Sequence, residues 1–291
     1  MASLRDVKTK IGAIKKTKQI TKAMNMVASA KLRNAQSRIE RFKPYAQKFF
    51  EMLGDLAAGA DESVHPLLAK REEKKTVGIV LVTSDRGLCG SFNVNLIKAA
   101  LKLAAEKKAQ GLNVKFYCVG KKGRDAVRKA EYEILVQYRD VMNSFDFTLA
   151  SKLGQELINS FLDSTLDEVV LVYGEFISMA RQLPVVQTIL PISGDQTGMP
   201  EVKSSGKEYV YEPSVEGLLA ELLPRFIKVQ VYRGMLDTSA SEHAARMSAM
   251  NNATRACDDM TNALTLLYNK TRQAAITRDL MDIVGATEAL K

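Results

Sequence analysis

Two stretches carry residue types able to do chemistry. The first is Asp85-Arg86-Gly87-Leu88-Cys89-Gly90. It follows an apolar β-branched run and opens a helical pattern, which is where an α/β fold binds phosphate or a dinucleotide. Its guanidinium and flexible backbone suit anion binding, and its thiol suits nucleophilic attack. The spacing supports neither use. It is not GxGxxG or GxxxxGK[ST], and GxSxG and HExxH are absent. No Cys–His pairing is suggested for Cys89, which reads as a small, partly buried residue. A structural turn or contact loop is the preferred reading over a catalytic one.

The second stretch is basic. Residues 1–60 hold thirteen Lys and Arg against Asp6, Glu40, Glu51 and Asp55, and between Val7 and Ile39 there is no acid. Lys8, Lys10, Lys15, Lys16, Lys18, Lys22, Lys31, Arg33 and Arg38 thus stand unopposed. A solvated helix ordinarily mixes signs to gain i,i+4 pairs. Giving that up points to a surface offered to an acidic partner, against the plainer reading of a solvated face.

A long helix must carry these cations. Steps of three and four from Leu4 land on Val7, Ile11, Ile14, Lys18, Thr21, Asn25, Ala28, Leu32, Ala35, Ile39, Phe42, Ala46, Phe49, Leu53 and Leu56. That seam is the heptad signature of a left-handed coiled coil. The N-terminal arm, 1–58, carries a helix from Ser3 to Leu56 that spans roughly 80 Å at the usual rise, too long for a compact domain, so a partner helix must cover it. Pro44 is expected to bend it without ending the pattern. From about 212 to 291 the chain turns helical again. Leu236, Ala240, His243, Met247, Met250, Thr254, Cys257, Thr261 and Leu264 form a weaker seam, which is expected to fade after Leu264. Pairing the two arms antiparallel covers both seams. If the arms start level, Leu4 lies near Leu266 and the chain beyond overhangs as a single helix, roughly 35 Å long.

Between the arms the period changes. Apolar runs at 76–83, 113–119, 132–138, 168–173 and 184–192 read as strands. Helical patterns at 95–110, 120–130 and 145–162 alternate with the first four. Residues 73–210 are therefore expected to be an inserted Rossmann-like α/β domain with a mostly parallel sheet. Pro184 and Pro191 mark the last strand as an edge. Gly194 to Gly206 reads as a loop.

Cys89, Cys118 and Cys257 lack CxxC spacing, which argues for a reducing compartment and against a disulfide framework or zinc site. His65 and His243 suggest no metal site. No catalytic, cofactor-binding or metal-binding residue is assigned. No apolar run reaches the length of a membrane span. The start at Met1 shows no signal peptide or presequence, which is expected of a bacterial chain.

Three separated blocks carry a resemblance over nearly the whole chain. They are Ile11-Gly12-Ala13-Ile14 through Gln19-Ile20-Thr21-Lys22-Ala23-Met24-Asn25-Met26-Val27-Ala28, then Thr83 to Asn93, then Leu267 to Thr277 with Asp282-Ile283-Val284-Gly285. In this order they resemble the gamma subunit family of bacterial F-type ATP synthases. Asp279 and Ala286 depart from its usual C-terminal pattern, where Glu and Gly are common. The resemblance implies a central rotor shaft that couples proton-driven ring rotation to conformational cycling of the beta subunits. It implies no nucleotide site or cofactor of its own and a non-catalytic role. The implied partners are a hexamer of alpha and beta subunits, an epsilon subunit and a ring of c subunits. The implied place is the cytoplasmic side of the bacterial inner membrane, held there through the complex. Contacts with the hexamer are expected at Lys8, Lys15, Lys18, Lys22, Met24, Lys31, Arg33, Asp85, Arg86, Arg272, Gln273, Ile276, Thr277, Leu280, Ile283 and Val284. Two other classes remain as alternatives: a basic coiled-coil nucleic-acid-binding or scaffold protein, and a nucleotide-dependent enzyme. Against the first, the cations share their helix with a complete seam, and the chain has no Trp.

Overall fold

The computed structural model describes residues 4–57, 65–69, 71, 73–192 and 215–289. In chain order the elements are α1 (Leu4–Ala57), β1 (Thr76–Val82), α2 (Phe92–Ala109), β2 (Asn113–Val119), α3 (Lys121–Lys129), β3 (Glu133–Tyr138), α4 (Phe147–Leu162), β4 (Glu168–Phe176), β5 (Gln182–Leu190) and α5 (Val215–Ala289). The fold class is the expected one: long N- and C-terminal helices enclosing a Rossmann-like sheet. The loop expected at Gly194 to Gly206 lies outside the described residues. Pro44 and Pro224 both sit inside continuous helices. Each removes one helical donor, and the packing around it outweighs that loss. By contacts the chain divides into two compact units, one of Ser29–Arg246 and one of Met1–Ala28 with Met247–Lys291.

The first unit is built on a five-stranded sheet of order β3-β2-β1-β4-β5. Of its four pairings, three are parallel and are made possible by crossover helices, and β4–β5 is an antiparallel hairpin. Pro184 stands on the edge strand, where its missing N–H breaks no inner ladder. β1 reads TVGIVLV and is buried along nearly all of its length because both faces are covered. Val80, Val82, Leu171 and Tyr173 point to a core shared with α1, α4 and α5. Val77, Ile79, Leu81, Val170 and Val172 point to a second core under α2 and α3. Strand alternation thus assigns successive residues to opposite layers. Asp146 caps α4 by accepting from the Leu149 N–H at 3.2 Å.

Within this unit α5 is buried nearly all round from Phe226 to Ala244. Leu219, Leu223, Phe226, Ile227, Val229, Val231, Met235 and Leu236 are all buried, as expected for a helix sheathed by its own protein. It runs beside α1 through edge-to-face rings, Phe42 on Tyr232 at 5.1 Å and Phe50 on Phe226 at 5.6 Å.

The second unit is the two helices alone. Lys18 pairs with Asp258, Thr21 with Thr254 at 2.8 Å, and Asn25 donates to the Met247 carbonyl at 2.9 Å. As the number rises on one helix it falls on the other, so the arms are antiparallel. Every seam position from Leu4 to Phe49 is buried or partly buried, including the three polar ones. Those three meet polar partners across the seam, which satisfies them there. The weaker seam does not fade after Leu264. Tyr268, Thr271 and Ala275 remain partly covered, so the register runs a turn further than equal arm lengths suggest. From Ile276 to Thr287 every described side chain is exposed, which makes the overhang shorter than expected.

Candidate functional site

The loop after β1 is held by hydrogen bonds among its own polar groups. Thr83 and Ser84 are fully buried. Asn93, at the start of α2, accepts from the Ser84 N–H at 3.2 Å and donates to the Arg86 carbonyl at 3.4 Å and the Cys89 sulfur at 3.1 Å. Gly120 has φ 98, and a Cβ there would meet the Thr83 carbonyl oxygen at 2.1 Å, so only glycine lets the β2–α3 turn approach.

Asp85, expected at a partner surface, turns inward. Oδ1 accepts from the N–H groups of Lys121 at 2.9 Å and Asp140 at 3.0 Å, and Oδ2 from Met142 at 2.9 Å. One carboxylate thus ties together the turns that follow β1, β2 and β3. Three unpaired backbone donors at the sheet's carboxyl end are the physical reason it faces them. Its neighbours face out: Arg86 is exposed, and Leu88, at φ 63, is 62% exposed. Cys89 is buried, and burial pushes its thiol above the usual range. It is therefore poorly suited to nucleophilic attack.

The topological switch point lies between β1 and β4, where an open α/β sheet holds a ligand. Here the chain's own α5 lies across it. The Arg246 guanidinium donates to the Gly87 carbonyl at 3.2 Å and pairs with Glu242 at 2.6 Å. Arg246 also lies 3.3 Å from His243 Nδ1. Burial, with Arg246 and Lys31 adding to it, pulls the His243 pKa down to about 4. The ring is therefore neutral and can accept from the guanidinium. At β4, Thr238 accepts from the Gly174 N–H and Ser241 donates to the Gly174 carbonyl, both at 3.1 Å. No sequence pattern hints at this use of Glu242, His243 and Arg246. They continue an ordinary helical pattern, and only the fold brings them to the loop.

The other expected contacts are dispersed. Lys8, Lys15, Lys22 and Arg33 are exposed and make no ion pair among the described residues. Lys18 lies in the seam on Asp258, and Lys31 donates to Asn143 at 2.9 Å. Met24 is half-buried, while Ile20, Met26 and Val27 beside it are exposed apolar residues that charge counting missed. On α5, Arg272, Gln273 and Thr277 are exposed, as are Ile276, Leu280, Ile283 and Val284. Met281 joins that bare apolar group at 67% exposure. Among the described residues, no group of three metal-ligating side chains converges, and no helix is long and apolar enough to cross a membrane.

A family model described as ATP synthase matches residues 3–290. The ATP synthase gamma chain of Nitratidesulfovibrio vulgaris (strain DSM 19637 / Miyazaki F) is 70% identical over 292 residues, covering 100% of both chains. That of Maridesulfovibrio salexigens is 71% identical over 291 residues, again covering 100% of both. Among solved structures, a central stalk/c-ring chain of the Tetrahymena thermophila mitochondrial ATP synthase aligns with a TM-score of 0.58 at 25% identity. It covers 80% of this chain and 99% of that one. A chain of the Euglena gracilis mitochondrial ATP synthase in rotational state 3 aligns with a TM-score of 0.68 at 22% identity, covering 99% and 94%, which is a likeness of fold. With a match from end to end and relatives this close, the chain belongs to the ATP synthase gamma chain family.

Proposed function

We propose that the protein is the central-stalk rotor of an F-type ATP synthase, a subunit that carries force and performs no catalysis itself. Proton flow through a membrane ring turns it, and its asymmetric arms bias the catalytic beta subunits between open and closed states. A shaft can do this only by favouring one beta conformation at each angle, since equal binding at all angles shifts nothing. The observation that carries this reading is the end-to-end family match of a chain whose arms leave cations and apolar side chains bare.

The division of labour we propose is 1–58 and 212–291 as the paired shaft and 73–210 as the base. The hexamer of alpha and beta subunits surrounds the shaft, and the base meets an epsilon subunit and the c-subunit ring. Met24, with Lys22 and Lys31 as its neighbours in sequence, meets an acidic beta-subunit loop; Lys8, Lys15, Lys18, Arg33 and Arg86 meet other groups of the hexamer, and Asp85 acts by shaping the loop that carries Arg86. Exposed ion pairs contribute only about 0–1 kcal/mol each, so partners can exchange as the shaft turns. Arg272, Gln273, Ile276, Thr277, Leu280, Ile283 and Val284 run in the apolar sleeve of the hexamer. The complex sits on the cytoplasmic face of the bacterial inner membrane and holds this chain there. A helix lying across the sheet's switch point supports the absence of a nucleotide role.

Co-purification tests the proposal. Tagged chain isolated from solubilised membranes should bring an ATPase with it, while the isolated chain should bind no ATP in equilibrium dialysis. Recovery of the chain on nucleic acid, with no ATPase, would overturn it.

A further inference from the structure

The carboxyl end of β4 is finished by a helix. β1 pairs with β4 only as far as Val172. Two residues on, the Gly174 N–H donates to Thr238 Oγ1 and its carbonyl accepts from Ser241 Oγ, both at 3.1 Å and both buried. Side chains one helical turn apart thus grip both polar groups of one residue, in the place of a neighbouring strand. A Cβ at Gly174 would come within 2.6 Å of the Phe92 ring, so the strand is also held from the α2 side.

Next to this grip is a charge arrangement. Asp237 is buried, with Arg233 on its own helix at 3.8 Å. From β4, the charge of Glu175 acts on the same carboxylate, which in turn acts on the Tyr173 hydroxyl. Burial, opposed by Arg233 and reinforced by Glu175, pushes Asp237 up to about 7.

We propose that Thr238 and Ser241, latched to Gly174, form the joint that positions α5 on the sheet and passes torque between them, with Asp237 setting its tightness. This rests on the rotor reading above. Apolar packing resists separation but is non-directional, so a packed helix can slip or roll on a sheet. Hydrogen bonds are directional, and two of them to one residue fix both height and azimuth. Protonation of Asp237 removes its repulsion with Glu175 beside the joint. Ionisation restores one excess negative charge and loosens it.

The test uses the assembled complex with Thr238→Val/Ser241→Ala, and the full chain alone. On the chain alone, amide exchange at Gly174 should quicken about tenfold or more in the double variant and stay slow in Thr238→Ser. In the complex, torsional compliance in single-molecule rotation should rise about twofold, in line with a lost directional constraint, and Thr238→Ser should restore it. Asp237→Asn supplies an independent arm should the double variant not assemble. It should match the parent at pH 6 and be stiffer than the parent at pH 8.5. Unchanged exchange at Gly174, or unchanged compliance in an assembled double variant, would overturn the joint. So would an Asp237→Asn variant that tracks the parent at both pH values. Failure of the parent chain to enter an ATPase complex would instead overturn the rotor reading, while exchange at Gly174 still reads the latch.

Discussion

The same helix lives in two environments. From Phe226 to Ala244, α5 is buried on nearly every side by the sheet, α1 and its own unit. From Ile276 to Thr287 it is exposed on every side, yet it still carries Ile276, Leu280, Met281, Ile283 and Val284. Composition alone does not separate the two segments, because each is apolar on several faces. The first finds its cover within the chain. The second has none here, and a helix of that kind calls for a sheath.

The sharpest way to break this contrast is to truncate a large side chain in each segment. Phe226→Ala should cost the isolated chain about 3–5 kcal/mol in denaturant unfolding, because it opens a cavity between Phe50 and the α5 core. Ile283→Ala should change the same measurement by less than about 0.5 kcal/mol. Equal costs would mean that the tip is packed in solution.

A second, smaller effect comes from Asp237. Its folded pKa, about 7, lies above that of an unfolded carboxyl. The folded state therefore holds a proton that the unfolded state has released between about pH 4 and 7, and stability falls as pH rises through that window. The loss should approach ~2–4 kcal/mol by pH 8 and be absent in Asp237→Asn. A flat profile in the parent chain would show that the carboxylate is solvated.

Much of this was legible beforehand. The three-four walk from Leu4 to Phe49 marked the covered face because a seam must be filled wherever two helices meet. The apolar β-branched runs marked the strands because both sheet faces are covered. Three things were not legible. Asp85 stood among loop residues that looked free, and its three backbone partners come from turns up to 57 residues away. The seam's continuation through Tyr268, Thr271 and Ala275 was hidden because partly polar residues fill it. The grip of Thr238 and Ser241 on Gly174 leaves no trace in periodicity, since small hydroxyl residues are as common on a solvated helix face.

The smallest expected effect sharpens the contrast at the bare end of α1. Met24→Lys should leave stability of the isolated chain unchanged, since Met24 is only half-buried. In membrane vesicles it should lower proton pumping per ATP hydrolysed, roughly twofold, by adding a cation that over-stabilises one angle of the shaft. Unchanged pumping would move the acidic contact away from Met24.

The central claim is that this chain turns inside the complex. Its most direct test fixes the hexamer to a surface, attaches a gold rod to a cysteine introduced in the α/β domain and follows the rod while ATP is hydrolysed. The account predicts unidirectional stepping that stops when ATP is withdrawn. A rod that stays still while the same complexes hydrolyse ATP would contradict it.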